Sequence, residues 1–499
     1  MATTAGTTAT SKHARTGIAG LDDVLQGGLS RGHLFLLEGE PGAGKTTVAL
    51  QYLLEGARNG ESCLYISLSE TEEELRRTIA SHGWTLPDLV VVHELAPDGS
   101  FDGGKQQSLL YASDLELGET TRRIFETVER IKPQRVVLDS LSEIRLLAQS
   151  SLRYRRQILS IKQYFSKSNA TVLFLDDLTA EVTDKTVHSI AHGVVRLEEI
   201  APEYGAGRRR LRVVKYRAQS FRGGYHDFAI RRGGVEVYPR LVALEHRSRY
   251  ERTRLSTGNE AFDKLLGGGV EKGSSTLILG PAGAGKSLIA YSFAIAAIAR
   301  GEKVAAFVFD EEMDLLFDRT RALGFDLEPL VEKKLLFLEQ VDAAQVTPGE
   351  FSHRARKLLD EEGITAVIID SINGYRSAMP EENSLILHLH ELLQYLNRRG
   401  ASTFMTVAQH GIVGSMDAPV DITYVADTVI LLRFFEASGA VRRAVSVVKK
   451  RGGPHESTIR EFKISTSGIT VGDPLSDFTG VLLGVPTFTG SALPRVREE

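Results

Sequence analysis

Short apolar runs alternate with longer segments of helical periodicity along the whole chain. Runs that are apolar at nearly every position are typical of strands buried on both faces, and such strands occur in parallel sheets covered by helices. We therefore predict an α/β fold in each half of the chain, with a mostly parallel sheet flanked by helices. The predicted strands are residues 34–37, 63–68, 135–138, 171–175 and 194–197 in the first half, and 276–279, 304–309, 366–369, 402–407 and 428–432 in the second.

The two halves of the chain repeat one another in sequence. The recurring positions include Thr16 and Thr257, Gly17 and Gly258, Asp22 and Asp263, Gly39 and Gly280, and Glu70 and Glu311. Each pair is separated by 241 positions, for example 280 − 39 = 241, and a constant separation indicates a duplicated domain. We predict a first domain at 12–248 and a second at 249–485, joined near the charged stretch 245–252. A disordered tail is expected at 1–11 and a C-terminal tail at 486–499.

Each half contains a complete phosphate-binding loop. Segments 39–46 (GEPGAGKT) and 280–287 (GPAGAGKS) fit the P-loop pattern, and each follows a predicted strand and precedes a helical segment. The glycines let successive backbone N–H groups face a phosphate, the lysine reaches the outer phosphates, and the hydroxyl ligates Mg²⁺. We expect two tandem RecA-like P-loop NTPase domains with ATP and Mg²⁺ as cofactors. The predicted ATP contacts are Gly42, Ala43, Gly44, Lys45, Thr46 and Thr47 in the first half, and Gly283, Ala284, Gly285, Lys286, Ser287 and Leu288 in the second.

Aspartates at the ends of two predicted strands are candidate magnesium carboxylates. Asp139 and Asp370 each directly follow an apolar run. Beside a P-loop, a carboxylate at this position holds Mg²⁺ through water, together with the hydroxyls of Thr46 and Ser287. A strand-end aspartate is also a common helix or turn cap, so that alternative stays open.

Acidic residues after the second strand of each half are candidate water activators. They are Glu70 in the first half, and Asp310 and Glu311 in the second. A carboxylate at this edge of a sheet can accept a proton from the attacking water or hydroxyl. A solvated acidic loop is the alternative. Gln409 follows the run 402–407, and it fits either a γ-phosphate sensor or a polar residue at a strand end.

Composition and charge exclude several classes of protein. The chain has 499 residues and a formal net charge of −4, which argues against a strongly basic nucleic-acid binder. Its one cysteine, Cys63, excludes a disulfide within the chain, and no zinc-ligand spacing is present. No apolar stretch is long enough to cross a bilayer. We expect a cytoplasmic protein that binds neither nucleic acid nor membrane.

These residues resemble the KaiC family, the RecA-like double-domain ATPases of the cyanobacterial circadian clock and their bacterial and archaeal relatives. The resemblance rests on the two P-loops, on the Thr-Gly…Asp…Gly-Gly segment before each of them, and on two Lys-x-Arg elements. It implies that Lys215, Arg217, Lys449 and Arg451 contact the ATP of a neighbouring subunit, as an arginine finger does. It also implies a homohexamer with ATP between subunits. From the residues alone, a basic strand edge is the alternative for the Lys-x-Arg elements.

The resemblance further implies serine/threonine autokinase activity and regulatory proteins as partners. Clock members carry paired glutamates after the second strand of each domain, and this chain has Ser69 and Asp310 in place of the leading glutamates. Clock members phosphorylate an adjacent Ser-Thr pair, and the matching candidate phosphosites here are Thr423 and Tyr424. A phosphothreonine at Thr423 fits this pattern, whereas the bulk of Tyr424 argues against a full two-site cycle. A tyrosine buried at an interface is the alternative.

We expect a regulatory or timing ATPase with autokinase activity. Two other functions stay open: a DNA motor of the RecA or helicase kind, and a slow ATP-gated scaffold whose assembly depends on nucleotide more than on turnover. A motor needs a basic groove that follows the nucleic-acid backbone. The basic runs at 208–210, 231–232 and 442–443 lie near predicted strand ends without interleaved aromatic residues. Ser69 makes the scaffold credible for the first domain.

Overall fold

The computed structural model divides the chain into two compact units, Met1–Arg240 and Leu241–Glu499. The described residues are 11–95, 109–178, 186–201, 205–243, 249–377, 382–409, 423–466, 468–483 and 486–490, with the side chains of 109–116, 377 and 382–385 excepted. The predicted tails and the predicted linker lie largely or partly outside these ranges. The predicted boundary between residues 248 and 249 therefore stays a prediction.

The first unit alternates strands with helices and ends in a series of strands. Its strands are β1 (His13–Ala14), β2 (Leu29–Ser30), β3 (Leu34–Gly39), β4 (Cys63–Ser67), β5 (Val90–Glu94), β6 (Arg135–Asp139), β7 (Thr171–Asp177), β8 (Gly193–Ile200), β9 (Arg208–Tyr216), β10 (His226–Arg231) and β11 (Gly234–Tyr238). Its helices are α1 (Ala19–Val24), α2 (Lys45–Arg58), α3 (Glu72–Ser81), α4 (Leu109–Ile131), α5 (Leu141–Ala148), α6 (Ser151–Ser168) and α7 (Thr186–Ile190).

The second unit repeats this arrangement. Its strands are β12 (Arg254–Leu255), β13 (Val270–Glu271), β14 (Ser275–Gly280), β15 (Val304–Val308), β16 (Leu336–Gln340), β17 (Ala366–Asp370), β18 (Ser402–Ala408), β19 (Thr428–Ala437), β20 (Ala440–Lys450), β21 (Arg460–Ser465), β22 (Gly468–Pro474), β23 (Phe478–Thr479) and β24 (Thr487–Phe488). Its helices are α8 (Glu260–Leu265), α9 (Lys286–Ala299), α10 (Met313–Ala322), α11 (Glu328–Glu332), α12 (Pro348–Glu362), α13 (Ile372–Ser377), α14 (Glu382–Arg398) and a 3₁₀ turn (Val481–Leu483).

Within the described ranges, each unit contains one nine-stranded sheet. The order is β5-β4-β6-β7-β3-β8-β9-β10-β11 in the first and β16-β15-β17-β18-β14-β19-β20-β21-β22 in the second. The pairs from β5 to β8 and from β16 to β19 are parallel, and the remaining pairs are antiparallel. The predicted α/β class, with a mostly parallel sheet in each half, is confirmed. The parallel edge strands β5 and β16, and the three antiparallel strands at the other end of each sheet, are additions to the prediction.

Helices cover both faces of each sheet, which explains why the central strands are apolar at almost every position. In β3, Phe35 and Leu37 pack into one hydrophobic cluster with α2, while Leu34 and Leu36 pack into another with α6. The carboxyl ends of the parallel strands meet at one edge of the sheet, where ligands bind in open α/β folds. Across the part of the chain that the structure describes, no helix is long and apolar enough to span a bilayer.

Candidate active sites

The two P-loops connect the central strand of each sheet to the helix that follows, from β3 to α2 and from β14 to α9. Gly44 precedes α2 with a φ of +100°, and a Cβ at this position would lie 2.6 Å from Ile230 Cδ1. Gly285 has a φ of +101°, with Ile464 Cδ1 at 2.7 Å. Backbone conformation and space therefore both exclude a side chain. Helix N–H groups at these ends attract phosphate.

The lysine of the first P-loop lies buried beneath the loop. Lys45 Nζ donates hydrogen bonds to the carbonyl oxygens of Gly39 and Glu40, both at 2.9 Å. It also forms an ion pair of 2.6 Å with Asp177 Oδ1, at the end of β7. The ammonium is thereby fixed at the carboxyl edge of the sheet, where the predicted ATP phosphates would lie.

The lysine of the second P-loop has a different electrostatic environment. Lys286 Nζ donates to the carbonyl oxygen of Pro281 at 2.8 Å. Burial lowers the pKa of Lys286 to about 8, and the nearby Asp370 carboxylate offsets part of this effect. Because desolvation disfavours the charged ammonium, an anionic ligand that pairs with Lys286 would restore its usual proton affinity.

Each strand-end aspartate accepts a hydrogen bond from a hydroxyl in a neighbouring part of the sheet, but the donors differ. Tyr65 Oη, on β4, donates to Asp139 Oδ2 at 2.5 Å. Thr406 Oγ1, on β18, donates to Asp370 Oδ1 at 2.5 Å. The two carboxylates therefore end equivalent strands, β6 and β17, yet are oriented from opposite neighbouring strands.

The first unit brings together the oxygen ligands that Mg²⁺ prefers. The Thr46 side chain lies near the Asp139 carboxylate and lowers its pKa, so the predicted hydroxyl and carboxylate ligands are adjacent. Burial raises the pKa of Asp139, the hydrogen bond from Tyr65 opposes that rise, and the nearby Asp177 charge adds to it. A divalent cation would favour the ionised form of such a buried carboxylate, so these residues fit Mg²⁺.

Glu70 has the properties of a proton acceptor. Its Oε2 atom is buried and makes no hydrogen bond. Its backbone is fixed by Ser67, whose Oγ accepts from the Glu70 N–H at 2.9 Å and donates to the Glu70 carbonyl oxygen at 2.5 Å. Burial, followed by the Asp139 charge, raises the pKa of Glu70. A half-buried carboxylate with raised proton affinity and a buried, unused oxygen suits a general base.

The corresponding carboxylates of the second unit are engaged by other side chains. Arg319 donates to both oxygens of Glu311, at 2.8 Å and 2.7 Å. Ser371 Oγ donates to Asp310 Oδ2 at 2.6 Å. The residue equivalent to Arg319 in the first unit is Thr78, because 319 − 241 = 78. The two units therefore share the acidic position but not its surroundings.

Three further predicted contacts lie close to the P-loops. Leu288 packs in the hydrophobic core, and the buried Thr47 faces His82 Nε2 at 3.5 Å, so their N–H groups rather than their side chains would extend the phosphate cradle. Gln409 donates its backbone N–H to the Gly280 carbonyl oxygen at 3.1 Å. Its side-chain Oε1 is buried and makes no hydrogen bond, as expected for a polar group that serves a ligand.

The two Lys-x-Arg elements make equivalent contacts within the chain. Lys215 Nζ, on β9, donates to the Ala191 carbonyl oxygen at 2.7 Å. Lys449 Nζ, on β20, donates to the carbonyl oxygens of Thr423 and Ala426, both at 2.8 Å. β9 and β20 each have neighbouring strands on both sides, so neither is an edge strand.

The arginines of these elements lie at the surface and donate hydrogen bonds to the same two backbone segments that the lysines contact. Arg217 donates to the Ser189 carbonyl oxygen at 2.7 Å, and Arg451 donates to that of Tyr424 at 2.8 Å. Both arginines are exposed, and Tyr424 is 54% exposed within this chain. The backbone of both candidate phosphosites is therefore held by Lys449 and Arg451. Contact with the ATP of another subunit stays a prediction.

Several residues at these sites were not predicted as part of them, among them Tyr65, Thr406 and Asp177. Tyr65 and Thr406 lie inside apolar strands, where a side chain usually packs in the core. Strand register was the missing information, since Tyr65 pairs with Val137, two residues before Asp139, on the same face. Asp177 does carry a sequence signal, because the pair Asp176 and Asp177 follows an apolar run, as Asp139 does.

We expect the phenylalanine variant Tyr65→Phe to weaken the response of the first site to Mg²⁺. Losing the hydroxyl leaves a buried carboxylate oxygen of Asp139 without its hydrogen-bond donor. We expect this to lower the apparent Mg²⁺ affinity of the first site roughly tenfold. The measurement is a Mg²⁺ titration of ATP hydrolysis in a Lys286→Ala background. Tyr52→Phe is the matched control, because Tyr52 Oη donates to the Thr171 carbonyl oxygen instead. An unchanged Mg²⁺ dependence would show that Tyr65 does not orient Asp139.

Sequence comparison relates this chain to known proteins. A family model described as "ATPase: KaiC" matches residues 14–242 and 255–476. Circadian clock protein KaiC3 of Synechocystis sp. is 27% identical over 487 residues, which cover 96% of this chain and 95% of that protein. Circadian clock oscillator protein KaiC of Parathermosynechococcus lividus is 26% identical over 483 residues (95% and 88%), and that of Synechococcus elongatus is 27% identical over 482 residues (95% and 91%).

Proposed function

This chain belongs to the KaiC family of ATPases, and we propose that it hydrolyses ATP at both P-loops as a regulatory or timing enzyme. The observation that carries this proposal is the repeated grouping, at one sheet edge, of a P-loop lysine, a hydroxyl, a strand-end aspartate and a further carboxylate. Relatives over nearly the whole chain are named circadian clock proteins, which supports the timing role.

In the first site, Glu70 accepts the proton of the attacking water. The water oxygen bonds to the γ-phosphorus, the bond from that phosphorus to the bridging oxygen breaks, and ADP and phosphate leave. Lys45 holds the outer phosphates, and Thr46 and Asp139 are the residues that would hold Mg²⁺. When bound, Mg²⁺ neutralises charge on the β- and γ-phosphates. The unused Oε2 of Glu70 supports this role.

In the second site, Asp310 is the proton acceptor and Glu311 is held in place by Arg319. Besides water, the acceptor of the γ-phosphoryl group is the Thr423 hydroxyl of a neighbouring subunit, in a homohexamer with ATP between subunits. Lys449 and Arg451 position that acceptor through the backbone of Thr423 and Tyr424. The same two residues reach the ATP that lies across the subunit interface.

The autokinase proposal predicts phosphate on Thr423 after incubation of the purified chain with γ-labelled ATP and Mg²⁺. Phosphopeptide mapping by mass spectrometry measures this phosphate. The signal is expected to disappear in Thr423→Ala. It is expected to fall at least tenfold in Asp310→Asn, because general-base catalysis contributes about a hundredfold or more to the rate. Tyr424→Phe is the control, because it removes the hydroxyl next to Thr423 and should leave the phosphate on Thr423 unchanged. If no phosphate is found on Thr423 while ATP is being hydrolysed, autokinase activity at this residue is excluded and the ATPase proposal stands.

A slow ATP-gated scaffold is the second candidate function. It is favoured by Glu311, whose two oxygens are both occupied by Arg319. In a scaffold, assembly follows nucleotide binding and survives the loss of turnover. Sedimentation of Asp310→Asn with ATP tests the scaffold, because assembly that is lost together with turnover would exclude it.

The basic run 208–210 in the first unit does not support a DNA motor. Arg209 forms an ion pair with Glu199, and Arg210 forms one with Glu198, each at 2.9 Å. The Arg210 guanidinium also lies over the ring of Tyr225, at 3.9 Å from its centroid. Arginines neutralised in this way within the chain do not form a phosphate-tracking groove.

A further inference from the structure

The strand beside the first P-loop ends in a carboxylate that shares the P-loop lysine. Asp177 Oδ1 lies 2.6 Å from Lys45 Nζ, and the Lys45 side chain is 8% exposed. The other carboxylate oxygen, Oδ2, accepts a hydrogen bond from Ser142 Oγ on α5 at 3.3 Å. Asp177 is therefore held on both sides, by the lysine and by a helix that packs on the same sheet edge.

The second unit provides an internal comparison, because its equivalent position has no carboxylate. Asp177 pairs with Gly39 in the first sheet, and Ala408 pairs with Gly280 in the second. Asn373, the counterpart of Ser142, bonds the backbone of Ala408 instead, with Oδ1 accepting at 2.9 Å and Nδ2 donating at 3.0 Å.

The lysines of the two sites differ accordingly. Within the described ranges, Lys286 forms no ion pair, whereas Lys45 forms one with Asp177. Asp177 also adds negative charge to the surroundings of the other carboxylates, since it contributes to the raised pKa values of both Glu70 and Asp139. The first site thus holds three carboxylates, those of Glu70, Asp139 and Asp177, close enough to affect one another, where the triphosphate brings further negative charge.

We propose that Asp177 is an internal competitor for Lys45, positioned by Ser142, which weakens nucleotide binding at the first site and makes the two sites of the chain unequal. A phosphate oxygen that bonds Lys45 must displace the carboxylate or lie beside it. Displacement breaks a short ion pair, and coexistence places like charges within a few ångströms. Ala408 imposes neither cost on the second site. The inference rests on the proposed function, because it assumes that Lys45 binds the phosphates of ATP.

The test isolates the first site in full-length chains that carry Lys286→Ala. A fluorescent ATP analogue is titrated with Mg²⁺, and Asp177→Ala is expected to tighten binding roughly tenfold, with Asp177→Asn changing it in the same direction. Ser142→Ala is expected to tighten binding by a smaller factor, because it frees the carboxylate without removing it. The reciprocal variant, Ala408→Asp in a Lys45→Ala chain, is expected to weaken binding at the second site.

Unchanged or weaker binding in both Asp177 variants would overturn the inference, since weaker binding would make Asp177 a supporting residue of the site. Thermal unfolding of each variant confirms that the folded chain is being measured, and the two Asp177 variants decide the matter even where Ala408→Asp does not fold. If the first site binds the analogue equally well with and without Lys45, the proposed function itself has failed. If Lys45→Ala loses binding but the Asp177 variants bind as before, only the proposal that Asp177 competes for Lys45 is contradicted.

Discussion

Replacing Lys286 with alanine is expected to reduce ATP turnover at the second site by at least about 100-fold, and Lys45→Ala is expected to do the same at the first. Each lysine is the cation that the P-loop aims at the outer phosphates, where negative charge develops during transfer. Each single variant should retain the turnover of the other site, and the double variant should have almost none. Phosphate release at saturating ATP measures all of these.

The matched control for these variants is a lysine outside the sites. Lys303 forms an ion pair with Glu362 at the surface, 3.1 Å long, so Lys303→Ala removes the same charge without touching a P-loop. Its turnover should equal that of the unaltered chain. Full turnover in the double variant would mean that hydrolysis occurs elsewhere in the protein.

Glu70→Gln is expected to slow hydrolysis at the first site about 100-fold while ATP binding is retained. Glutamine has nearly the same shape but cannot accept the proton of the attacking water. The measurement is single-turnover hydrolysis in the Lys286→Ala background, with binding measured separately. Because burial and Asp139 raise the pKa of Glu70, protonation should switch off the first site at a higher pH than for an ordinary glutamate as pH falls.

The equivalent substitution in the second unit is the internal comparison for this prediction. Arg319 occupies both oxygens of Glu311, so Glu311→Gln should affect the second site less through proton transfer than Asp310→Asn does. Hydrolysis at the first site that persists at the normal rate in Glu70→Gln would exclude Glu70 as the base.

The sequence predicted the parallel part of each sheet well, because strands buried on both faces must be apolar at almost every position. It did not predict the parallel edge strands β5 and β16, nor the antiparallel strands β9 to β11 and β20 to β22. In β9 the burial varies from buried Leu211 and Val213 to exposed Val214, and four arginines interrupt the pattern. A half-exposed strand of this kind is stabilised by its neighbours in the sheet, and that information is not local.

The candidate sites were predicted where chemistry is local and missed where it depends on register. A P-loop specifies its own backbone shape, so Lys45 and Lys286 are evident from spacing. The hydroxyl of Tyr65 reaches Asp139 from a strand 74 residues earlier in the chain, and only the pairing of β4 with β6 brings them together. The repeat also changes register, from 241 positions at the P-loops to 370 − 139 = 231 at the aspartates.

Equivalent motifs in the two halves are therefore surrounded by different residues. Arg319 replaces Thr78 beside the acidic loop, and Ala408 replaces Asp177 beside the P-loop lysine. A duplicated motif establishes that both halves have the same kind of site, while the side chains around it set how strongly each site binds and how fast it reacts. This difference is the physical basis on which we expect the two sites to work unequally.

The most direct test of the account is the number of nucleotides that one chain binds. Equilibrium dialysis with labelled ATP and Mg²⁺ should give two per chain for the unaltered protein, one after either Lys45→Ala or Lys286→Ala at ATP concentrations near the dissociation constant, and none for the double variant. Two bound nucleotides in the double variant, or none in the unaltered chain, would contradict the assignment of both P-loops as ATP sites.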